Sequence, residues 1–152
     1  MKIMAAVDRS PISDAVVDMA IRLARCTNAD VLLINVAPRE PDAFGRQVVR
    51  KVIGDQVPPD LLDRRELLDR LSGLASESGV ESTTLLVRGD PGPTLIDDAQ
   101  RAGATLIVMG SHGRGGLFKT LIGSVSETVL ADGRMPVLVV PARAVREGTA
   151  AP

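Results

Sequence analysis

The segment from Gly110 to Ser124, GSHGRGGLFKTLIGS, holds the residue types best suited to chemistry in this chain. It follows an apolar run, Thr105–Met109, of the kind that forms a buried strand. Glycines let a backbone approach an anion and turn its N–H groups toward it, and a serine can begin a helix whose dipole favours negative charge. The spacing therefore predicts a phosphate-binding loop and favours a nucleotide-binding domain.

Better-known phosphate and catalytic motifs do not match this segment. Lys119-Thr120 resembles the end of a Walker A loop, but Phe118 stands where that loop requires glycine. The run Gly113–Phe118 lacks the last glycine of the dinucleotide fingerprint and follows the fourth predicted strand rather than the first. The chain also has no G-x-S-x-G elbow, so a hydrolase nucleophile of that kind is not predicted.

Short apolar runs separated by helical segments must position this loop. Nearly continuous β-branched and leucine-rich runs are typical of strands covered on both faces. The predicted strands are Ile3–Val7, Val31–Val36, Thr83–Val87, Thr105–Met109 and Val137–Val140. Ser10 and Pro11 are expected as the N-cap and the first position of the first helix.

Four helices are predicted between these strands, and the last begins at Ser124 and runs to about Asp132. Their expected buried faces are, in chain order, Val16, Met19, Ala20 and Leu23; Leu61, Leu67, Leu68, Leu71 and Leu74; Leu95, Ile96 and Ala99; and Val125, Val129 and Leu130. Adjacent positions on a helix diverge, so Asp97-Asp98 is expected to be a solvated face rather than an acidic pair.

Alternation of strands and helices predicts an α/β fold, with a parallel sheet and helices on both faces. Ligands of such sheets bind at the carboxyl ends of the strands, where the strand order reverses. The Asp8 turn and the Gly110 loop both follow strands, so they are expected to face one pocket. We expect one domain over residues 1–152, with a core over 1–142, a loop over Pro38–Pro59 and a frayed tail over 143–152.

The spacing Gly110-x2-Gly113-x9-Gly123-Ser124 resembles the ATP-binding signature of the universal stress protein family. The resemblance extends over nearly the whole chain. It includes the opening strand and turn, the end of the second strand, the turn into the third helix and the last strand. These are Ile3–Ser10, Asn35-Val36, Gly89–Pro91 and Met135–Val139.

The resemblance implies a Rossmann-like (adenine nucleotide alpha hydrolase-like) sandwich with a five-stranded, mostly parallel sheet. It also implies binding of ATP, with Mg²⁺ or Mn²⁺. The implied nucleotide-binding residues are Ala6, Val7, Asp8, Val36, Met109, Gly110, His112, Gly113, Gly123, Ser124, Val125 and Ser126. No residue is assigned a catalytic role, and none is assigned as a direct metal ligand.

The implied roles divide between the two ends of the nucleotide. Asp8 would bind the ribose, and the backbone of Val36 would contact adenine. The loop glycines would wrap the ribose and phosphates, and the segment Gly123–Ser126 would bind phosphates through N–H and hydroxyl groups. Arg9 departs from the family, which commonly has glycine there.

Each of these residues also has a structural interpretation. Asp8 could brace the turn before Pro11, the glycines could serve loop geometry alone, and Ser124 could be a simple N-cap. His112, the only histidine, fits a positioning or surface role better than a general base. Arg114 and Lys119 could clamp phosphates or could be solvated loop charges.

Three functions remain open at this stage. The first is an ATP-binding regulatory protein of the universal stress type that passes its nucleotide state to an unknown protein partner. The second is a slow ATPase with Lys119 and Ser126 near the γ-phosphate, against which the sequence offers no activated base. The third is a nucleotide-independent interaction module. With any of them, the resemblance implies a homodimer through the edge strand Met135–Pro141, whose apolar character favours pairing.

Composition argues against other classes of partner. The net charge is −1 and the chain has no Trp or Tyr and only two Phe, so neither a basic field nor a base-stacking surface for nucleic acid is predicted. No apolar run approaches the roughly 20 residues that span a bilayer. The apolar start of the chain is too short for a signal-peptide core, and the single cysteine fits a reducing compartment, so a cytoplasmic location is expected.

Overall fold

The computed structural model describes residues 1–40, 47–48, 57–111 and 122–142. The strands are β1 (Lys2–Ala6), β2 (Asp30–Ala37), β3 (Gln47–Val48), β4 (Ser82–Arg88), β5 (Leu106–Gly110) and β6 (Val137–Val140). The helices are α1 (Ile12–Thr27), α2 (Leu62–Glu77), α3 (Pro91–Ala102) and α4 (Ser124–Asp132), and a 3₁₀ turn at Pro59–Leu61 leads into α2.

These strands form one sheet in the order β3-β4-β2-β1-β5-β6. All neighbouring strands pair in parallel except β3, which pairs antiparallel with β4. The five predicted parallel strands and the α/β class are thus confirmed. The two-residue β3 falls within the segment expected to be a loop, since two residues carry too little apolar pattern to indicate a strand.

Two apolar cores cover the two faces of the sheet, as expected for strands buried on both sides. One core joins the inward side chains of α1 and α2 to alternate strand residues such as Ile3 and Leu33. The other joins those of α3 and α4 to their strand neighbours Met4 and Ile34. The period of two along the parallel strands therefore directs their buried apolar side chains alternately to one core and to the other.

Some predicted helix details are wrong. Pro11 is the N-cap of α1, and Ser10 lies one residue before it, with its hydroxyl bonded to Asp8 rather than capping the helix. Leu74 and Leu130 lie on exposed faces, because α2 and α4 cover the sheet with only a narrow stripe of buried residues. Asp98 was expected in solvent but is 1% exposed, with its Oδ1 3.5 Å from Nη1 of Arg101.

Most of the segment Pro38–Pro59 and all of the tail 143–152 lie outside the described residues. Within the part of the chain that the structure describes, no helix is both long and apolar enough to span a membrane.

Candidate functional site

The strand order places a crevice above the carboxyl ends of β1 and β5. From β1 the chain passes to β2 and β4 on one side of the sheet, and β5 and β6 lie on the other side. The crossing helices diverge at such a reversal and leave an opening between adjacent strand ends. The Asp8 turn and Gly110 border this opening, so the structure brings together the two segments that the sequence predicted to share a pocket.

Asp8 lies in the tight turn between β1 and α1. Its Oδ1 accepts hydrogen bonds from the backbone N–H of Ser10 (2.8 Å), the hydroxyl of Ser10 and, at 3.3 Å, the hydroxyl of Ser13. The Ser13 hydroxyl shares its one proton between Oδ1 and Asp8 O, the latter at 2.8 Å, and it accepts from Asp8 N. Within the described part of the chain, the hydrogen bonds to the Asp8 carboxylate all use Oδ1. The carboxylate therefore braces the turn with one oxygen, and its second oxygen provides further acceptor capacity.

The peptide group of Val36 faces the carboxyl end of β1, which borders this opening. Successive peptide groups of a strand face opposite neighbours. Ile34 O accepts from Val7 N on the β1 side, and Ala37 O accepts from Gly89 N on the β4 side. The N–H and C=O of Val36 must therefore face the β1 side. Val36 lies beyond Ile34, which is the last residue of β2 that pairs with β1. This leaves one donor and one acceptor side by side at the crevice.

Asn35 connects this strand end to the Asp8 turn. Its side chain is 1% exposed, and its Nδ2 donates to Val7 O at 2.8 Å. Its Oδ1 accepts from Nη1 of Arg64, on the first turn of α2, at 2.8 Å. The same Nη1 lies 3.5 Å from Val36 O. Sequence reasoning did not assign Asn35 or Arg64 a role. The only signal was a polar residue at the end of an otherwise apolar strand.

Gly110 ends β5 where α1 approaches the sheet. A Cβ placed on Gly110 would lie 2.8 Å from Cγ2 of Ile12, the first residue of α1. Only a glycine lets the first turn of α1 lie this close to the end of β5. Met109, the preceding residue, is buried in the core beneath the crevice. Ala6 and Val7 end β1 at the same level, with Ala6 paired to Met109.

Ser111 follows β5, and its hydrogen bonds define the base of the glycine loop, where the end of β5, the start of α4 and the end of β6 meet. Its O accepts from Gly123 N, so the residues on either side of the segment 112–122 are joined by a hydrogen bond. Its N–H donates to Val140 O at 2.8 Å, and its hydroxyl accepts from Ala142 N at 3.2 Å. The loop base is thus joined directly to the end of the edge strand β6. His112 and Gly113, with Arg114 and Lys119, lie outside the described residues.

The amino end of α4 adjoins this loop base. Gly123 is the N-cap, in extended conformation, and Ser124 begins the helix with an exposed side chain. Val125 is half-buried against the core below. Ser126 is 3% exposed, and its hydroxyl donates to Gly110 O at 2.8 Å. Peptide N–H groups of the first helical turn lack intrahelical acceptors, so this end suits an anion.

Among residues 1–40, 57–111 and 122–142, no three His, Cys, Asp or Glu side chains gather closely enough to hold a metal ion.

Comparison with known proteins identifies the family. Residues 1–141 match the model of the universal stress protein family. The universal stress protein YxiE of Bacillus subtilis is 31% identical over 148 residues, covering 91% of this chain and 97% of the relative.

Solved structures agree in fold. A universal stress family protein from Burkholderia pseudomallei superposes with a TM-score of 0.67 at 28% identity, covering 93% of this chain and 96% of that one. The universal stress protein of Archaeoglobus fulgidus in complex with dAMP has a TM-score of 0.68 at 23% identity, covering 91% and 96%. The chain belongs to the universal stress protein family.

Proposed function

We propose that this chain is an ATP-binding regulatory protein that acts as a homodimer in the stress response. The observation that carries the proposal is the pair of backbone groups of Val36, its N–H and its C=O. Both face the β1 side of β2 beyond Ile34, where the pairing of β2 with β1 ends. Adenine offers a matching pair, because ring nitrogen N1 accepts a hydrogen bond and the amine N6 donates one. Guanine presents O6 in place of the amine, and this oxygen would oppose Val36 O.

The ribose and phosphates have complementary groups along the same crevice. Asp8 Oδ2 can accept from a ribose hydroxyl while Oδ1 keeps the turn. Gly110, with Gly113 as implied by the family resemblance, admits the nucleotide backbone closely. Ala6, Val7 and Met109 would form the apolar floor, and His112 is a further nucleotide-binding residue that the family resemblance implies.

Phosphates would lie at the amino end of α4. The N–H groups of Ser124, Val125 and Ser126, together with the Ser124 hydroxyl, are the proposed donors, and Gly123 leaves room for the phosphate. Mg²⁺ or Mn²⁺ would accompany ATP through phosphate oxygens and water, which is how Mg²⁺ commonly binds nucleotides. The Archaeoglobus fulgidus relative, in complex with dAMP, supports an adenine nucleotide as the ligand class.

A regulatory binding role is better supported than turnover. The slow-ATPase hypothesis uses the Ser126 hydroxyl near the γ-phosphate, but this hydroxyl is buried and donates to Gly110 O. Moving it to phosphate would break this part-buried hydrogen bond to Gly110 O, which costs about 1 kcal/mol. We therefore propose that Ser126 contributes its N–H rather than its hydroxyl.

Glycine substitution tests the proposal. Gly113→Ala combined with Gly123→Val should weaken binding of a fluorescent ATP analogue by more than ten-fold. The backbone of Gly123 is extended and accepts valine, so the loss would come from bulk at the phosphate. The ligand must carry the signal, because the chain has no Trp or Tyr.

The matched control is Gly73→Ala, a helical position with open space around it. It should bind like the parent protein. Equal affinity of the double variant and the parent would contradict a phosphate site at this loop.

A further inference from the structure

The side chain of Arg64 reaches from the first turn of α2 to the carboxyl end of β2. Its Nη1 is 2.8 Å from Asn35 Oδ1 and 3.5 Å from Val36 O. The side chain is half-buried. A cation held beside a backbone acceptor that faces a crevice lies where it can also contact whatever binds that acceptor.

The buried side-chain amide of Asn35 fixes the direction of the Arg64 side chain. Asn35 can donate to Val7 O only through Nδ2, which turns Oδ1 toward α2 to accept from Arg64. Because Asn35 is 1% exposed, both of its bonds must be kept, and the guanidinium is thereby oriented at the strand end. A planar group with five N–H donors in a fixed fork is suited to read acceptors at defined positions.

The position of Arg64 favours the base over the phosphates. Its helix α2 packs on β4 and β2. The proposed phosphate donors are on α4, which packs on α3 and β6 beyond the other side of β1. A cation on the β2 side of the crevice therefore faces the same end of the ligand as Val36.

We propose that Arg64 is a base-recognition residue that donates a hydrogen bond to N7 of adenine, a role that rests on the proposed nucleotide-binding function. With N1 on Val36 N–H and N6 on Val36 O, the next acceptor past the amine is N7. Arg64 stands beside this same carbonyl. The protein then recognises three nitrogen atoms of adenine, which are N1, N6 and N7, instead of two.

A comparison of two ligands with two proteins tests this pairing. The ligands are ATP and 7-deaza-ATP, which has a C–H in place of N7, and the proteins are the parent and Arg64→Met. The parent should bind 7-deaza-ATP about ten-fold more weakly than ATP, the typical loss for one hydrogen bond from a charged donor. Arg64→Met should bind ATP about ten-fold more weakly than the parent does and should not distinguish the two ligands.

Arg65→Met is the matched control. It removes an arginine from the adjacent position of α2, where the side chain pairs with Asp69 instead of Asn35. This variant should retain the ten-fold preference for ATP. Arg64→Lys, compared in the same titrations and by thermal unfolding without ligand, serves if Arg64→Met does not fold, and its shorter, non-forked group should also lose most of the preference.

A parent protein that binds both ligands equally, or an Arg64 variant that keeps the full preference, would overturn the N7 contact while leaving ATP binding in place. Arg64 would then have a structural role, which includes its hydrogen bond to Asn35. A parent protein that binds neither ligand would instead contradict the proposed function itself.

Discussion

At the scale of single residues, Asp8 combines a structural task with a proposed binding task on separate oxygens. Oδ1 holds the turn between β1 and α1 through the N–H of Ser10 and the hydroxyls of Ser10 and Ser13. Oδ2 is the proposed ribose acceptor. The two interpretations that the sequence left open for Asp8 are therefore compatible, and substitutions can separate them.

Asp8→Asn should keep the fold and weaken nucleotide binding. An asparagine oxygen can accept the turn bonds, but its amide nitrogen cannot replace Oδ2 as an acceptor. We expect Asp8→Asn to change the free energy of unfolding by less than about 1 kcal/mol, and Asp8→Ala to lower it by about 2 kcal/mol. Urea unfolding measures the first effect and nucleotide titration the second. Equal destabilisation by both variants would show that the turn needs the charge itself.

Residues that act through distant partners were the hardest to predict from sequence. Asn35 and Arg64 are 29 positions apart, and nothing local to either one indicates their hydrogen bond. Asp98 was expected in solvent because helix surfaces usually carry charge, yet it lies buried on the inner face of α3. By contrast, the placement of Asp8 and Gly110 at neighbouring strand ends was predicted, since each directly follows an apolar run and the topology brings strand ends together.

At the scale of elements, the crevice depends on how closely α1 lies against the end of β5. Gly110 and Ile12 set this approach, since a Cβ on Gly110 would meet the Ile12 side chain at 2.8 Å. Ile12 is itself buried, so it has little room to move aside. The same close packing occurs between α3 and α4, where a Cβ on Gly92 would lie 2.6 Å from Cγ2 of Thr128.

Gly110→Ala should destabilise the protein by about 1–3 kcal/mol, because the added methyl overpacks a filled site. Ile12→Ala alone should destabilise by leaving a cavity. The double variant should be more stable than the sum of the two losses predicts, because the methyl added at Gly110 would occupy space that the Ile12 side chain leaves. Chemical unfolding of the parent and the three variants measures this coupling. Strict additivity would mean that Gly110 and Ile12 do not interact.

The junction between α4 and β6 contains an exposed ion pair. Arg134 Nε is 2.7 Å from Asp132 Oδ1, and Nη1 of Arg134 is 3.1 Å from Gln100 Oε1 on α3. The side-chain hydrogen bond from Arg134 lowers the pKa of Asp132 below its usual range. The same bond raises the pKa of Arg134, which is charged at all relevant pH values.

Because the folded state lowers the pKa of Asp132, the pair stabilises the protein above the unfolded-state pKa of about 4 and loses this effect as the pH falls through the folded-state value. The parent should therefore exceed Arg134→Gln in stability at pH 7, and the difference should shrink below about pH 4. Urea unfolding of both proteins, from pH 7 to below about pH 4, measures this difference in the free energy of unfolding. A difference that is constant with pH would assign the effect to packing alone.

Elements were predicted well where their pattern was strong. The bounds of the five parallel strands match the predicted ones to within one residue at each end, because long apolar runs bounded by turn residues leave little choice. The helix α3 ends before Gly103, whose left-handed backbone favours glycine. The inward face of α4 was mistaken at Leu130, because nine residues give too few turns to fix a helical face.

At the scale of the whole molecule, β6 forms one edge of the sheet. Its Leu138 packs on one core and its Val137 on the other. Ser111 N donates to Val140 O and Ile107 N donates to Pro136 O. By alternation, Val137 and Val139 point their peptide groups away from β5, toward the open edge. This arrangement supports the proposed antiparallel pairing of two copies through Met135–Pro141.

Val139→Pro should convert the proposed dimer to a monomer. Proline removes an N–H that faces the open edge but leaves the ladder with β5 intact, which is where proline is tolerated in strands. Val139→Thr keeps the N–H and the branched shape, and it should remain dimeric. Light scattering at micromolar concentration distinguishes the two states. A monomeric parent, or a dimeric Val139→Pro variant, would contradict pairing through this edge.

Calorimetric titration of the nucleotide-stripped protein with ATP, in buffer containing Mg²⁺ and with GTP as the comparison, tests the central proposal most directly. The proposal predicts saturable binding of ATP at micromolar concentrations and much weaker binding of GTP, because guanine O6 would oppose the Val36 carbonyl. Absence of saturable binding of ATP up to millimolar concentrations would contradict it, and the glycine loop would then serve the fold alone.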